Sequence, residues 1–234
     1  MSKAEGKMDL DRIVFIGRTF DEYMRIFALE PEELLGRRIL DCPAGACSFT
    51  AKANQLGANA TAADIAYFHA PDVLAQKGFQ DIEHAMQQLD KVKDNFVWDY
   101  FKSTDGLRRV RKEALTVSTQ DRSSNPRRYV PTVLPEIPFS DQEFDMTLSA
   151  HFLFMYGDRL DYDFHVRTLQ ELMRVTREEI RIFPLVDLSS SRYEQLGSLI
   201  EMIASQGWSS EIITVPYEFQ KGADSMLKLK RMNS

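Results

Sequence analysis

Apolar positions along the chain fall into short continuous runs that alternate with stripes at helical spacing, a pattern that predicts an α/β fold. Thr19 with Glu22 reads as a capping box, and Phe20, Tyr23, Met24 and Phe27 continue the helix it opens. A short second helix is expected from Pro31, a good first-turn residue, to Gly36, a good terminator. Arg38 to Cys42 is a short apolar run with one acid and reads as the first strand. Ser48 to Leu56 predicts a helix with Phe49, Ala53 and Leu56 on one face and Gly57 just past its end. Ala60 to Ile65 is the next strand, rich in small residues and also closing on an acid, Asp64.

The stretch from about 70 to 128 has a different character. Ile82, Met86, Leu89 and Val92 form a helical stripe that Phe96, Val97 and Trp98 extend, and Leu107, Val110, Ala114 and Leu115 mark another helix. A polar segment, Thr119 to Arg128, closes it. The stretch is too apolar for a linker and is expected to be a helical insertion. Strands then return at Tyr129 to Leu134, where Pro131 suggests an edge, and at Phe144 to Ala150. A helix from about Tyr162 to Arg174, a strand from Glu179 to Leu185 and a helix ending at Gly207 follow. Glu211 to Val215 and Ser225 to Lys230 are the last two strands, with no helix between them.

Alternating strands and helices imply a mostly parallel sheet covered on both faces. The short connection between the last two strands forces them to be antiparallel. The expected molecule is one domain over 1–234, with N-terminal helices at 18–36 and the insertion at about 70–128.

Length and composition narrow the function. The chain of 234 residues, 44% hydrophobic and 27% charged, is ordinary for a soluble domain with a substantial core. No run approaches the roughly 20 apolar residues that span a bilayer, and Met1 to Arg12 is polar, without the apolar core of a signal peptide. A cytoplasmic location and no membrane partner are expected. A net charge of −6 argues against nucleic acid as a partner, and the clusters Arg108, Arg109, Arg111, Lys112 and Arg127, Arg128 read as solvated faces. Two cysteines and four scattered histidines suggest neither a disulfide scaffold nor a metal site.

The chemistry concentrates at Leu40 to Phe49, where a strand delivers Asp41, a turn of small residues follows, and a helix opens. Such a turn lets a ligand approach the main chain closely, outside the carboxyl end of a strand. Asp64 lies about 20 residues after Asp41, where nucleotide-binding units place an acid that grips a ribose diol. The glycine pattern is degenerate, with Pro43, Gly45 and Cys47 at the glycine positions of a phosphate-type loop. An ordinary strand-turn-helix junction is the alternative reading of this motif.

On these residues the chain resembles the class I S-adenosylmethionine-dependent methyltransferase superfamily, and more narrowly its bacterial members with a Cys-Pro-Ala-Gly turn. Asp41 to Phe49 matches the first motif and Asp64 the ribose acid. Ile137 to Asp145 matches the stretch leading into the fourth strand, Met146 to Phe154 that strand and its exit, Glu171 to Val175 the helix before the fifth strand, and Phe219 to Leu227 a closing hairpin. The resemblance implies a Rossmann-like, mostly parallel seven-stranded sheet, with S-adenosylmethionine as cofactor and methyl transfer to a small-molecule acceptor. It places Asp41 and the backbone of Cys42, Pro43, Ala44 and Gly45 at the amino-acid end of the cofactor. Ser48 and Ser149 fall among the contacts, Asp64 at the ribose and Ile65 at the adenine, with Val133 and Leu134 flanking the base. Many members carry an aspartate where this chain has Val133.

His151, just past the fourth strand, is the candidate general base for an acceptor with a proton to lose; packing at a strand exit is its other reading. Tyr156 is a second candidate. Arg18 and Tyr23 are placed to close over the methionine end of the cofactor, or simply to pack. Phe96, Trp98, Tyr100 and Phe101 line an acceptor pocket or the core of the insertion. Cys42 and Cys47 read as small turn residues, and Asp158, Asp161 and Asp163 as a solvated turn without the other residues of a calcium loop. Two further functions stay open: a cofactor-binding protein without transfer activity, acting as sensor or partner subunit, and a nucleotide-binding oxidoreductase. The terminal hairpin argues against the latter.

Overall fold

A computed structural model of the chain describes residues 14–232, so the reading of Met1 to Arg12 lies outside the described residues. The sequence forms helix α1 (Phe20–Ile26), strand β1 (Arg38–Asp41), α2 (Phe49–Gln55), β2 (Asn59–Asp64), α3 (Pro71–Leu89), α4 (Thr104–Ser124), β3 (Tyr129–Pro131), β4 (Phe144–Ala150), α5 (Tyr162–Val175), β5 (Thr176–Phe183), α6 (Leu196–Ser205), β6 (Trp208–Thr214) and β7 (Ser225–Arg231). The strands make one seven-stranded sheet in the order β3-β2-β1-β4-β5-β7-β6. β1 is parallel to both β2 and β4, whereas β7 is antiparallel to both β5 and β6. The parallel sheet with an antiparallel C-terminal pair is therefore as expected.

Central strands of a covered sheet read as continuous apolar runs. In β1, Ile39, Leu40 and Asp41 are all buried, and in β4 every residue from Met146 to Ala150 is buried. One core lies between the sheet and α1 and α2, built on Tyr23, Phe27, Phe49 and Met146. A second lies on α5 and α6, built on Leu169, Leu172, Ile180, Leu199 and Trp208. The sheet order reverses between β1 and β4, with β2 on one side and β4 on the other. This is the switch point at which open α/β sheets leave a crevice beyond the strand ends.

Several local expectations change. The second N-terminal helix is only a 3₁₀ turn at Pro31–Glu33, because Gly36, at φ +72°, turns the chain and donates to the Gly57 carbonyl at 2.9 Å. Arg181 in β5 holds this turn, donating to Glu33 at 2.6 Å and to the Phe27 carbonyl at 2.6 Å. The stripe of α3 ends at Leu89 instead of running on through Trp98; the chain there becomes irregular, and Phe96, Trp98 and Phe101 cluster on Phe219 from the loop between β6 and β7. Asp161 caps α5 by accepting from the Phe164 N–H at 2.7 Å. Among the described residues no helix is long and apolar enough to cross a membrane.

A buried ion pair ties three of these parts together. The capping box of α1 forms as read, with Glu22 accepting from the Thr19 N–H at 3.0 Å. The same carboxylate accepts from Arg111 of α4 at 2.6 Å and from the Tyr217 hydroxyl at 2.9 Å. Burial by itself raises the affinity of Glu22 for a proton, but Arg111 outweighs it and the group is held below its ordinary value of 4.5. A depressed carboxyl stabilises the fold above its unfolded-state pKa, and that contribution disappears as pH falls through the folded value. Glu22→Gln leaves Arg111 buried without its counter-charge and is expected to cost about 3–5 kcal/mol in urea unfolding at neutral pH. The difference from wild type should shrink in unfolding curves taken below pH 4.5; a constant difference would refute the ionic origin of the effect.

Candidate active site

The crevice at the switch point opens into a cavity of about 620 Å³, within the range of small-molecule sites. Its floor is the turn after β1. Gly45 sits at φ +55°, a conformation that favours glycine. The segment before α1 crosses over this turn so closely that a Cβ on Gly17 would lie 1.8 Å from the Ala46 carbonyl oxygen. Arg18 is docked there by its backbone, donating to the Cys47 Sγ at 3.1 Å and accepting from the Ser48 N–H at 3.0 Å.

The turn's own N–H groups are mostly engaged within the protein. Cys42 donates to the Leu148 carbonyl, Ala44 to Ala63, Cys47 to Ala44, and Gly45 to the Asp64 carboxylate at 2.8 Å. The turn thus offers a ligand its slimness and its carbonyl faces more than free donors. The other oxygen of Asp64 accepts from the Ala66 N–H at 2.8 Å. Each carboxylate oxygen keeps a further lone pair, and Asp64 lines the cavity. Burial raises its pKa against the opposing pull of those two N–H groups.

Of the residues singled out from the sequence, Cys42, Pro43, Ala44, Gly45, Asp64, Ile65, Val133, Leu134 and His151 all line this cavity. Three of the expected cofactor contacts are set back from it. Asp41 is fully buried behind the turn, where one oxygen accepts from the Tyr23 hydroxyl at 2.9 Å and the other has no partner. Burial holds its carboxyl well above the ordinary range; the Tyr23 hydrogen bond opposes this and Asp64 adds to it. The Ser48 hydroxyl accepts from the Phe20 N–H at 3.0 Å, fixing α1 to the start of α2, and Ser149 is buried within β4. Tyr23, with its hydroxyl on Asp41, packs beneath the turn and does not cover a ligand. Burial pushes the Cys47 thiol up to about 12 and the Cys42 thiol well up, which leaves both as inert small residues.

The far part of the cavity is walled by the insertion and the C-terminal loop. Met86 and Leu89 of α3, Phe96, and Leu107 and Arg111 of α4 face Tyr217 and Phe219 across it. Trp98, Tyr100 and Phe101 pack behind this wall instead of lining it. His151 stands between the two halves. It is a non-glycine residue at φ +55°, its ring is edge-on to Phe183 at 5.3 Å, and its Nδ1 is buried without a partner. Burial, followed by the charges of Arg18 and Arg111, holds the imidazole well below its ordinary value of 6.5. The side chain is therefore held in its neutral form. Among the described residues no group of three or more His, Cys, Asp or Glu side chains is placed to hold a metal ion.

Sequence reasoning placed Arg111 on a solvated face. Within those basic clusters Arg108 and Lys112 bridge to Glu83 and Arg128 to Asp121, and Arg109 and Arg127 are exposed. Arg111 differs because it shares the buried stripe of α4 with Leu107, Ala114, Leu115 and Ser118, a signal present in the spacing. Tyr217 and Phe219 had no such signal, since only the return of the chain to the sheet brings them to the cavity.

No protein-family model matches the chain. It is 35% identical over 225 residues to an uncharacterised protein of Methanocaldococcus jannaschii, covering 96% of this chain and 99% of that one. Among solved structures, magnesium protoporphyrin IX methyltransferase from Synechocystis PCC 6803 with bound SAM superposes with a TM-score of 0.50 at 11% identity, over 91% of this chain and 77% of the other. A structure described as a candidate RNA methyltransferase from Pyrococcus horikoshii gives 0.50 at 10% identity, over 91% and 84%. The strand order, the C-terminal antiparallel pair and these superpositions agree: the chain belongs to one family with the Methanocaldococcus jannaschii protein, and it has the fold of the class I S-adenosylmethionine-dependent methyltransferase superfamily.

Proposed function

We propose that the protein is an S-adenosylmethionine-dependent methyltransferase acting on a small-molecule acceptor. The observation that carries this reading is a single cavity that begins at the slim turn and Asp64 and continues past His151 to an apolar wall. A cofactor end and an acceptor end share one enclosure. Ile65, 61% exposed, and Val133, 50% exposed, form the open rim where a flat adenine would lie, with Leu134 beside it. Asp64 would accept from the ribose hydroxyls through its remaining lone pairs.

When bound, S-adenosylmethionine supplies a methyl group already activated by its sulfonium. The chain's own work is alignment and exclusion of water. Phe96, Phe183 and Phe219 keep the reacting end apolar, and the strained His151 backbone presents an imidazole whose Nδ1 has no protein partner. His151 takes the proton of an acceptor that carries one.

A second reading, cofactor binding without transfer, draws on the degenerate turn, whose donors are engaged internally. Turnover of a labelled methyl donor with a metabolite pool separates the two. Thermal denaturation should rise with S-adenosylmethionine and S-adenosylhomocysteine but not with NAD, and no response to either sulfur ligand would discredit both readings. Asp64→Ala should weaken S-adenosylhomocysteine binding by about tenfold, the loss of one charge-assisted contact; unchanged affinity in calorimetry would remove the ribose assignment. With the acceptor found in that pool, the transfer rate should stay level as pH is lowered through 6.5, because the folded pKa of His151 lies well below that value. His151→Ala should slow transfer more than it weakens binding, and full activity in that variant would exclude the base.

A further inference from the structure

The half of the cavity beyond His151 is apolar, with Met86, Leu89, Phe96, Phe183 and Phe219 on its walls. The charges along the insertion are already matched. Arg111 pairs with Glu22 at 2.6 Å, Lys77 pairs with Asp81, and the Tyr217 hydroxyl donates to Glu22. Arg18 belongs to the other half. Its backbone is docked over the turn after β1, where the carboxylate of the proposed cofactor would meet its guanidinium. A charged acceptor beyond His151 would therefore give up its hydration without gaining a counter-charge.

One polar group on this wall has unused capacity. Gln220, from the loop between β6 and β7, lines the cavity and is only 9% exposed. Its backbone bridges to Phe96 of the insertion. Its side-chain nitrogen donates to the Asp187 carbonyl at 2.7 Å and to the Ser190 hydroxyl at 3.0 Å, both in the loop between β5 and α6. A carbonyl can only accept, so the nitrogen faces Asp187 and the amide has one orientation. Both of its N–H donors are used, whereas its Oε1 receives no hydrogen bond from any described residue. An amide held by its nitrogen also holds its oxygen, and this oxygen is a fixed acceptor in an apolar enclosure. His151, neutral and with Nδ1 unpartnered, is a second uncharged group with capacity to accept.

We propose that Gln220 determines specificity for the acceptor, an uncharged aromatic molecule whose phenolic hydroxyl reacts beside His151 while a second donor, hydroxyl or amine, bonds to the Gln220 carbonyl. The phenolic oxygen forms the new bond to the methyl carbon, the carbon–sulfur bond breaks with its electron pair going to sulfur, and the phenolic proton passes to His151. The second donor stays unmethylated and fixes which oxygen reacts. An analogue lacking it leaves the Gln220 oxygen buried and unpaired.

This inference rests on the methyltransferase reading, and the test keeps the two apart. The three dihydroxybenzenes beside their monomethyl ethers, and the three aminophenols beside their N,N-dimethyl derivatives, cover the possible spacings. They are titrated calorimetrically into the S-adenosylhomocysteine complexes of the wild type, Gln220→Met and Ser190→Ala. The wild type should favour at least one two-donor compound over its partner by about tenfold, the worth of one buried hydrogen bond. Gln220→Met should lose that preference, and Gln220→Lys, which keeps donors for Asp187 and Ser190 but has no carbonyl, should lose it too. Ser190→Ala leaves the amide held by Asp187 and should retain it. All of these proteins should bind S-adenosylhomocysteine within about threefold of the wild type. No preference in the wild type overturns the proposal whether or not the variants fold. So does a preference that survives in Gln220→Met, or one lost equally in Ser190→Ala, since Gln220 would then only brace the loops. Tighter binding of 3-hydroxybenzoate than of 3-hydroxybenzamide to the wild-type complex overturns the uncharged class. A wild type that binds no S-adenosylhomocysteine brings down the methyltransferase reading, and this inference with it.

Discussion

The buried carboxylate of Glu22 is the contact on which the shape of the cavity depends. It closes the capping box of α1, holds Arg111 of the helical insertion and accepts from Tyr217 of the C-terminal loop. Three segments far apart in sequence meet on one side chain, and each contributes a wall of the cavity or braces one. A buried ion pair of this kind contributes little net stability compared with an apolar replacement, because desolvation offsets the attraction. Its effect is positional: it allows one arrangement of the insertion over the sheet and penalises others.

The turn after β1 solves a different problem. Its residues are small and most of its N–H groups are satisfied by β4, by the end of β2 and by the turn itself. That internal satisfaction stabilises the crevice without a ligand, so the site is preformed. It also explains why degenerate glycines suffice. A loop that bonds to itself needs one residue at positive φ, Gly45, and one close crossing, Gly17, instead of a run of glycines. Asp64 then has two duties, bracing the turn through Gly45 and facing the cavity.

The two halves of the cavity differ in electrostatics. The end near Asp64 and Asp41 carries carboxyls whose burial raises their pKa values. The end near Arg18 and Arg111 is positive, and those charges add to the burial that lowers the pKa of His151.

The alternation of strands and helices of the α/β fold, the antiparallel C-terminal pair, the capping box at Thr19 and the turn at Cys42 to Gly45 were legible in the amino-acid sequence, because each is set by local rules: period, connection length, capping chemistry and small residues beside an acid, whereas the order of strands in the sheet was not. Nine of the expected site residues reach the cavity for the same reason, since strand ends in such a sheet point their loops to one edge. Asp41, Ser48 and Ser149 share those motifs yet face inward, because side chains alternate along a strand and the first turn of a helix has an inner face. Only the tertiary structure decided that Arg111, on the buried stripe of α4, pairs with Glu22, that Phe219 and Tyr217 close the far wall, and that Arg18 faces the cavity without an ion-pair partner. Those facts depend on pairings between distant segments, and the free energy of a buried charge is set by what the folded chain brings beside it, which no local pattern encodes.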